Sequence, residues 1–161
     1  MFGDPEVYRI LNEAGIPFEY HEHPPAPTIE IAVLYWKDIL ETTHCKNLFF
    51  RNHKGNRHYL VIFDHRKNLG IHDLEKYLKQ GKLTFASAER MLKYLGLQPG
   101  SVSPFGLVHD TDHHVHLFLD QDLGNNPKIS FHPNDNRASL VIRYDDFIFF
   151  LKEMGNSYEF F

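Results

Sequence analysis

HCKNLFFRNHKGNRHYLVIFD, residues 44–64, sets two runs dense in aromatic and β-branched residues on either side of the turn formers Asn52-His53-Lys54-Gly55-Asn56. The spacing predicts a β-hairpin with strands over Lys46 to Arg51 and Arg57 to Asp64. Period-2 alternation places Lys46, Leu48 and Phe50 on one face and Cys45, Asn47, Phe49 and Arg51 on the other. A lysine among apolar neighbours has two readings. It snorkels to water at a strand end, or it is a fixed cation that binds an anion or a developing oxyanion.

Outward from the hairpin, the chain mixes helices and strands without regular βαβ alternation. Asp4-Pro5, the set Val7, Ile10, Leu11, Ala14 and then Gly15 predict a helix over about 5–14. Ile16 to His21 reads as a strand, broken by the rigid Pro24-Pro25-Ala26-Pro27 connector. Thr28 can cap a helix reaching about Leu40, whose nearly all-round apolar surface predicts deep burial. Beyond the hairpin, Asp73 and Ser87 read as helix caps, the second helix ending at Leu95-Gly96. Leu97 to Gly106 reads as a structured loop. Strands are expected near 107–109, 115–119, 128–132 and 138–143, before a helix capped by Asp145 and stopped at Gly155. The class is α+β (mixed α/β), a largely antiparallel sheet flanked by helices.

At 161 residues, with 42% hydrophobic and 24% charged, the chain reads as one soluble globular domain spanning 1–161, which excludes disordered, collagen-like and fibrous classes. A lone cysteine, Cys45, excludes an intramolecular disulfide framework and any cysteine-only zinc site, and fits a reducing compartment. The N-terminal MFGDPEVYRI lacks the basic and apolar regions of a secretory signal, and no apolar run approaches the ~20 residues of a membrane helix. The expectation is a cytoplasmic protein without a membrane partner.

The net charge of −4 argues against coating nucleic acid non-specifically. Lys46, Arg51, Lys54, Arg57, Arg66 and Lys67 against Asp64 nevertheless give residues 44–67 a local +5, leaving −9 for the rest. A basic hairpin with interleaved aromatics could dock one nucleic-acid end, or simply be a solvated face.

Other constellations carry two readings each. In Gly96 to Gly106, Gly100 permits close backbone approach and Pro104 stiffens the exit, so the N–H groups between could form a nest for a negative oxygen; the alternative is a plain connector. His109, Asp110, Asp112, His113, His114 and His116 form a cluster in which alternation pairs His114 with His116 as candidate metal ligands, with Asp112 or His132 as a third; no metal motif such as HExxH is present, and the alternative is a hydrophilic turn. His44 beside Cys45 suggests a thiol and a base, but adjacent strand residues face opposite ways, so Cys45 reads as a small buried hydrophobe. His132, where a strand ends in turn formers, is a site residue or a turn histidine.

Taken in order, Pro27-Thr28-Ile29-Glu30, His44-Cys45-Lys46-Asn47-Leu48-Phe49, Gly100-Ser101-Val102-Ser103-Pro104-Phe105-Gly106, and Phe131-His132-Pro133 to Asn136 before Ser139-Leu140-Val141-Ile142 resemble the YbaK/prolyl-tRNA-synthetase-associated domain family, and within it the free-standing prolyl-tRNA deacylases. The resemblance implies a curved mixed sheet with surrounding helices, a single pocket, and metal-free, cofactor-free hydrolysis of mischarged tRNA, typically alanine on proline tRNA. It matches Lys46 to the family's essential lysine and Gly100 and Pro104 to its Gly-xxx-Pro loop, and sets Thr28, Asn47 and His132 at pocket positions. Ile29, Ile31 and Trp36 depart from the family pattern, which bears on amino-acid selectivity.

On this reading Lys46 holds the carbonyl or terminal phosphate region, and within the 100–104 loop (Gly100, Ser101, Val102, Ser103, Pro104) the N–H groups from Ser101 to Ser103 receive the oxyanion. Thr28, Ile31, Val33, Asn47, Phe49, Phe50 and His132 shape the substrate pocket. Arg51, Lys54, Arg57, Arg66 and Lys67 meet the acceptor end of tRNA, and a prolyl-tRNA synthetase is a candidate partner, with no role for DNA. The competing classes are a non-catalytic module that binds tRNA or a synthetase, and a histidine-metal hydrolase built on residues 109–116.

Overall fold

A computed structural model describes residues 1–161. The hairpin at 44–64 is its spine: β2 (Thr42–Asn52) pairs antiparallel with β3 (His58–Asp64), from Cys45 opposite Asp64 to Arg51 opposite His58. Asn52 closes the turn by accepting at Oδ1 from the amides of Asn56 and Arg57. Every residue of β3 is buried, as a central strand requires.

Around this pair one mixed sheet is ordered β1 (Glu19–Glu22), β7 (Ala138–Arg143), β6 (Lys128–Phe131), β2, β3, β5 (His116–Leu119), β8 (Tyr158–Phe160), with β4 (Leu83–Phe85) joined to the far end of β2. Four pairings are antiparallel and three parallel, so antiparallel pairing predominates narrowly. The long β2 ties the halves together: Thr42 to His44 pair with β6, and Cys45 to Arg51 with β3. One face buries the main core, including Cys45, Phe49, Leu60 and Ile62 of the hairpin and Met91 and Leu95 of α4 (Ala88–Leu95). The other buries Phe50, Val61 and Phe63 with Leu74 and Leu78 of α3 (Ile71–Leu78). Each large side chain so buried contributes roughly 1.5–3 kcal/mol.

α1 (Pro5–Glu13) begins as expected, with Asp4 Oδ1 accepting from the Glu6 amide. α5 (Tyr144–Met154) stops at Gly155, whose φ of +82° closes the helix. Several expectations change. The first strand lies at 19–22 rather than 16–21. Leu107 to His109 form no strand but the end of a 3-10 helix, Pro104–His109. Asp73 caps nothing at its own position: it is the third helical residue of α3, and its carboxylate accepts from the Gly70 amide. Asp145 lies inside the first turn of α5, where its charge favours the helix dipole without a capping bond.

The largest change concerns α2. The helix stops at Trp36 rather than Leu40, spanning Ile29–Trp36, and it is not a core element. Only Ala32 and Trp36 of the helix are buried, in a small cluster with Ala26, while Leu34 and Leu40 are 61% and 74% exposed. A helix of eight residues that packs through one side buries only that side, whatever the composition of the other. No helix of the chain is long and apolar enough to cross a membrane.

Candidate active site

Where β2 passes beneath α2, three connecting segments meet and leave a cavity of about 280 Å³. The Pro-rich connector supplies Ala26, Pro27 and Thr28, the loop after α4 supplies Gly100 and Val102, and the end of β6 supplies Ser130, Phe131 and His132. Hydrogen bonds knit them together. The Ala26 amide donates to Asn136 O, and Asn136 Nδ2 donates to Gly100 O at 3.3 Å. Gly100 holds φ at +88°, and a Cβ there would stand 3.0 Å from Pro27 Cβ, so only glycine lets loop and connector meet this closely.

Lys46 lines the cavity from β2 and makes no ion pair or hydrogen bond within the chain. It is the single lysine or arginine in the wall. Beside it, Asn47 Oδ1 is buried without a donor, a cost of about 1–3 kcal/mol that a bound donor would remove. His132 donates from Nδ1 to Ala138 O at 2.7 Å, which leaves Nε2 as an acceptor. Burial pushes its pKa below the ordinary histidine value, and nearby His23 adds to this, so the ring is neutral near pH 7.

The backbone of the loop is only partly free. The Ser101 amide donates to Gln98 O, whereas those of Gly100, Val102 and Ser103 have no partner in the chain. Ser103 is fully buried and caps the 3-10 helix through the Phe105 amide, and Pro104 lies behind it. Gly100 and Val102 line the cavity; Ser101, Ser103 and Pro104 do not.

Thr28, Asn47 and His132 come together with Lys46, whereas Ile31, Val33, Phe49 and Phe50 lie outside the wall. Phe49 and Phe50 are core side chains on opposite faces of the sheet and cannot narrow a pocket. The apolar wall is instead Ala26, Ile29, Ala32, Trp36, Cys45, Leu48, Val102 and Phe131. Sequence reading also missed Glu30 at the rim and Ser130 and Ser139, whose hydroxyls bond His44 Nδ1 and His23 Nε2. Trp36 stacks on His44 with centroids 4.5 Å apart and planes 9° apart. Burial drops the His44 pKa to about 4. Cys45 is buried and its pKa pushed up by desolvation, which suits packing rather than attack.

The +5 segment does not make one patch. Arg66 pairs with Asp64 at 2.7 Å, and Lys67 with Asp120 and Asp122 at 2.6 and 2.8 Å, all at the cavity end of the hairpin. Arg51, Lys54 and Arg57 sit at the turn end, about 20 Å away at ~3.3 Å per strand residue. The histidine segment also disperses: His109 bonds Asp4, His114 bonds His58, and His116 bonds Ser157 and Glu159. No group of three or more His, Cys, Asp or Glu side chains is arranged to hold a metal ion.

Residues 23–150 match the aminoacyl-tRNA editing domain family. Over 154 residues, 95% of this chain and 93% of the relative, the chain is 37% identical to the prolyl-tRNA editing protein ProX of Acetoanaerobium sticklandii. It is 33% identical over 155 residues to the prolyl-tRNA synthetase associated domain-containing protein 1 of Mus musculus, covering 94% of this chain and 90% of that one. Among solved structures, a candidate trans-editing enzyme for prolyl-tRNA synthetase superposes with a TM-score of 0.66 at 21% identity, covering 97% and 96% of the two chains, which supports the fold.

Proposed function

The chain belongs to the aminoacyl-tRNA editing domain family, and on that premise we propose that it deacylates mischarged tRNA in trans, with alanine on proline tRNA as its preferred substrate. The observation that carries this reading is the unpartnered Lys46 ammonium in a small cavity bordered by free loop amides. An aminoacyl ester is already activated, so the protein has to orient it, place a water and stabilise the tetrahedral oxyanion.

Lys46 takes the ester carbonyl or the adjacent terminal phosphate. The amides of Gly100 and Val102 receive the oxyanion, a role that shifts to them because the Ser101 amide is committed. Asn47 Oδ1 accepts from the substrate's α-ammonium, with the Glu30 carboxylate at the rim favouring the same charge. Nε2 of neutral His132 accepts a hydrogen bond from the attacking water or a ribose hydroxyl. Water adds to the carbonyl, the tetrahedral species collapses, and the ribose oxygen leaves with a proton, giving free amino acid and tRNA. No step draws on a metal or cofactor.

Selectivity follows from Ala26, Ala32 and Trp36, which leave a shallow apolar recess suited to a methyl group. A wall of this kind excludes larger side chains better than it rejects smaller ones. The same reading puts the protein in the cytoplasm, where tRNA is charged, working alongside a prolyl-tRNA synthetase.

The test is deacylation of a panel of tRNAs charged with alanine, proline, serine and glycine. Alanine on proline tRNA should be hydrolysed fastest. Lys46→Ala should cut kcat by ~10²–10³, the size of losing one preorganised oxyanion partner, with an unchanged circular dichroism spectrum. Full activity in that variant, or faster loss of proline than of alanine, overturns the proposal.

A further inference from the structure

A second hollow, also about 280 Å³, lies at the turn end of the hairpin, lined by Gly55, Ser87, Glu89, Arg90, Lys93 and Tyr94. Arg90 is fixed in it. Its Nη1 donates to Gly55 O at 2.8 Å and to His58 Nε2 at 3.0 Å. Because a guanidinium only donates, His58 must accept at Nε2 and donate from Nδ1 to His114 Nε2, 2.8 Å away. His58 is fully buried, and desolvation drops its pKa to about 4, so this acceptor persists at neutral pH. The remaining donors of Arg90, at Nε and Nη2, have no partner in the chain.

Lys93 follows Arg90 by three residues on α4, so the two share a helix face. Lys54 and Arg57 are exposed on the turn, and Arg51 bonds the carbonyls of Asn52 and His53. In the lining itself Arg90 and Lys93 stand against Glu89, a local +1, and the turn beside it adds Arg51, Lys54 and Arg57, on a chain of net −4. A positioned guanidinium with free donors and an adjacent ammonium match a phosphate.

We propose that this hollow binds a backbone phosphate of the tRNA acceptor arm whose aminoacylated end occupies the cavity, a proposal that rests on the function given above. The placement supports it. Six residue steps along β2 lead from Lys46 to Asn52, about 20 Å at ~3.3 Å per residue. One continuous stretch, 87–102, borders both hollows, with α4 at the second and the loop that follows it at the first. A polyanion anchored by its end in the cavity therefore runs toward fixed positive charge.

Arg90 also holds the turn, so its replacement can disturb folding; Lys93, exposed and in contact with the Tyr94 ring at 5.2 Å, is the cleaner probe. Kinetics of Lys93→Ala and of Lys54→Ala/Lys93→Ala should be compared on full-length aminoacyl-tRNA and on an aminoacylated fragment limited to the unpaired 3′ end. The double variant should raise KM for full-length tRNA roughly tenfold with kcat unchanged, and leave the fragment's constants unchanged. Binding of uncharged tRNA should lose about one unit of log–log salt slope per lysine removed. Equal KM shifts on both substrates, or no shift on either, overturn the proposal. So does inorganic phosphate that slows fragment hydrolysis in the wild type but not in Lys93→Ala, which marks a free-anion site. Should the wild type hydrolyse nothing, the proposed function fails while the salt slope still reads the phosphate site.

Discussion

Replacing Gly100 by alanine adds one methyl group where the backbone and the space both resist it. The φ of +88° costs a side chain about 1–2 kcal/mol. The new Cβ would also stand 3.0 Å from Pro27 Cβ and 3.3 Å from Pro27 Cα, inside ordinary contact, so loop or connector must give by a few tenths of an ångström. Neither is free to do so, since Asn136 ties Gly100 O to the same turn that bonds Ala26. The expected loss is about 2 kcal/mol of stability, a fall of roughly 4–8 °C in Tm at 2–4 °C per kcal/mol for a chain of this size. If the Gly100 and Val102 amides meet the oxyanion, their displacement should lower kcat by ~10–100-fold, part of the ~10²–10³ that losing a donor outright costs. Single-turnover deacylation, tRNA affinity and thermal melting on the same preparation separate these effects. Gly15→Ala is the control: φ there is +69° but nothing lies within 4 Å of the added Cβ, so it should lose stability alone. A Gly100→Ala enzyme with wild-type kcat and a lowered Tm would refute the oxyanion role and leave the loop a connector.

Stability should fall on mild acidification. His44 and His58 have pKa values near 4 in the folded chain against ~6.5 unfolded, so the unfolded state takes up more protons as pH drops through that window, each histidine withdrawing up to about 3 kcal/mol. Urea midpoints should be flat above pH 7 and decline between pH 6.5 and 4; a midpoint unchanged from pH 7 to 5 would contradict neutral burial of these rings. Trp36→Ala should destabilise by ~3–5 kcal/mol as a large-to-small change, and should raise hydrolysis of larger amino acids relative to alanine; an unaltered preference would remove Trp36 from the selective wall.

What could be read in advance follows from how local each signal is. The hairpin was legible because alternation, β-branched content and a five-residue turn cluster agree over 21 residues. Lys46 stood out for the same reason, as a lysine that alternation sets among apolar neighbours, whereas Asn47 falls on the opposite face and only the family resemblance set it at the pocket that both residues line. Three-residue strands such as β4 and β8 have too few positions for any period to show. Leu107 to His109 is equally short, and an apolar triplet cannot distinguish a strand from a turn of 3-10 helix. Asp73 and Asp145 misled because a carboxylate serves a helix start either as the cap or from within the first turn.

The failures at α2 and at the basic segment share a deeper cause. Composition gives how much apolar surface or charge a stretch carries, but not the direction it faces once the chain turns. A helix expected from Thr28 to about Leu40 read as core because its surface is apolar nearly all round, yet it stops at Trp36 and only Ala32 and Trp36 turn inward. The +5 of residues 44–67 read as one patch because its members are close in sequence, yet an extended hairpin carries neighbours ~20 Å apart within six residues. Arg66 and Lys67, at the cavity end, are neutralised by Asp64, Asp120 and Asp122, and the charge left over collects at the turn, where α4 adds Arg90 and Lys93 from 35 residues further along the chain. Under the proposed function, Lys46, the one lysine or arginine in the cavity wall, serves the ester, and the cations at the turn end serve the polyanion that carries it. If both proposals hold, their separation along one strand lets substitutions at the turn change substrate affinity and substitutions at Lys46 change ester chemistry, each without the other.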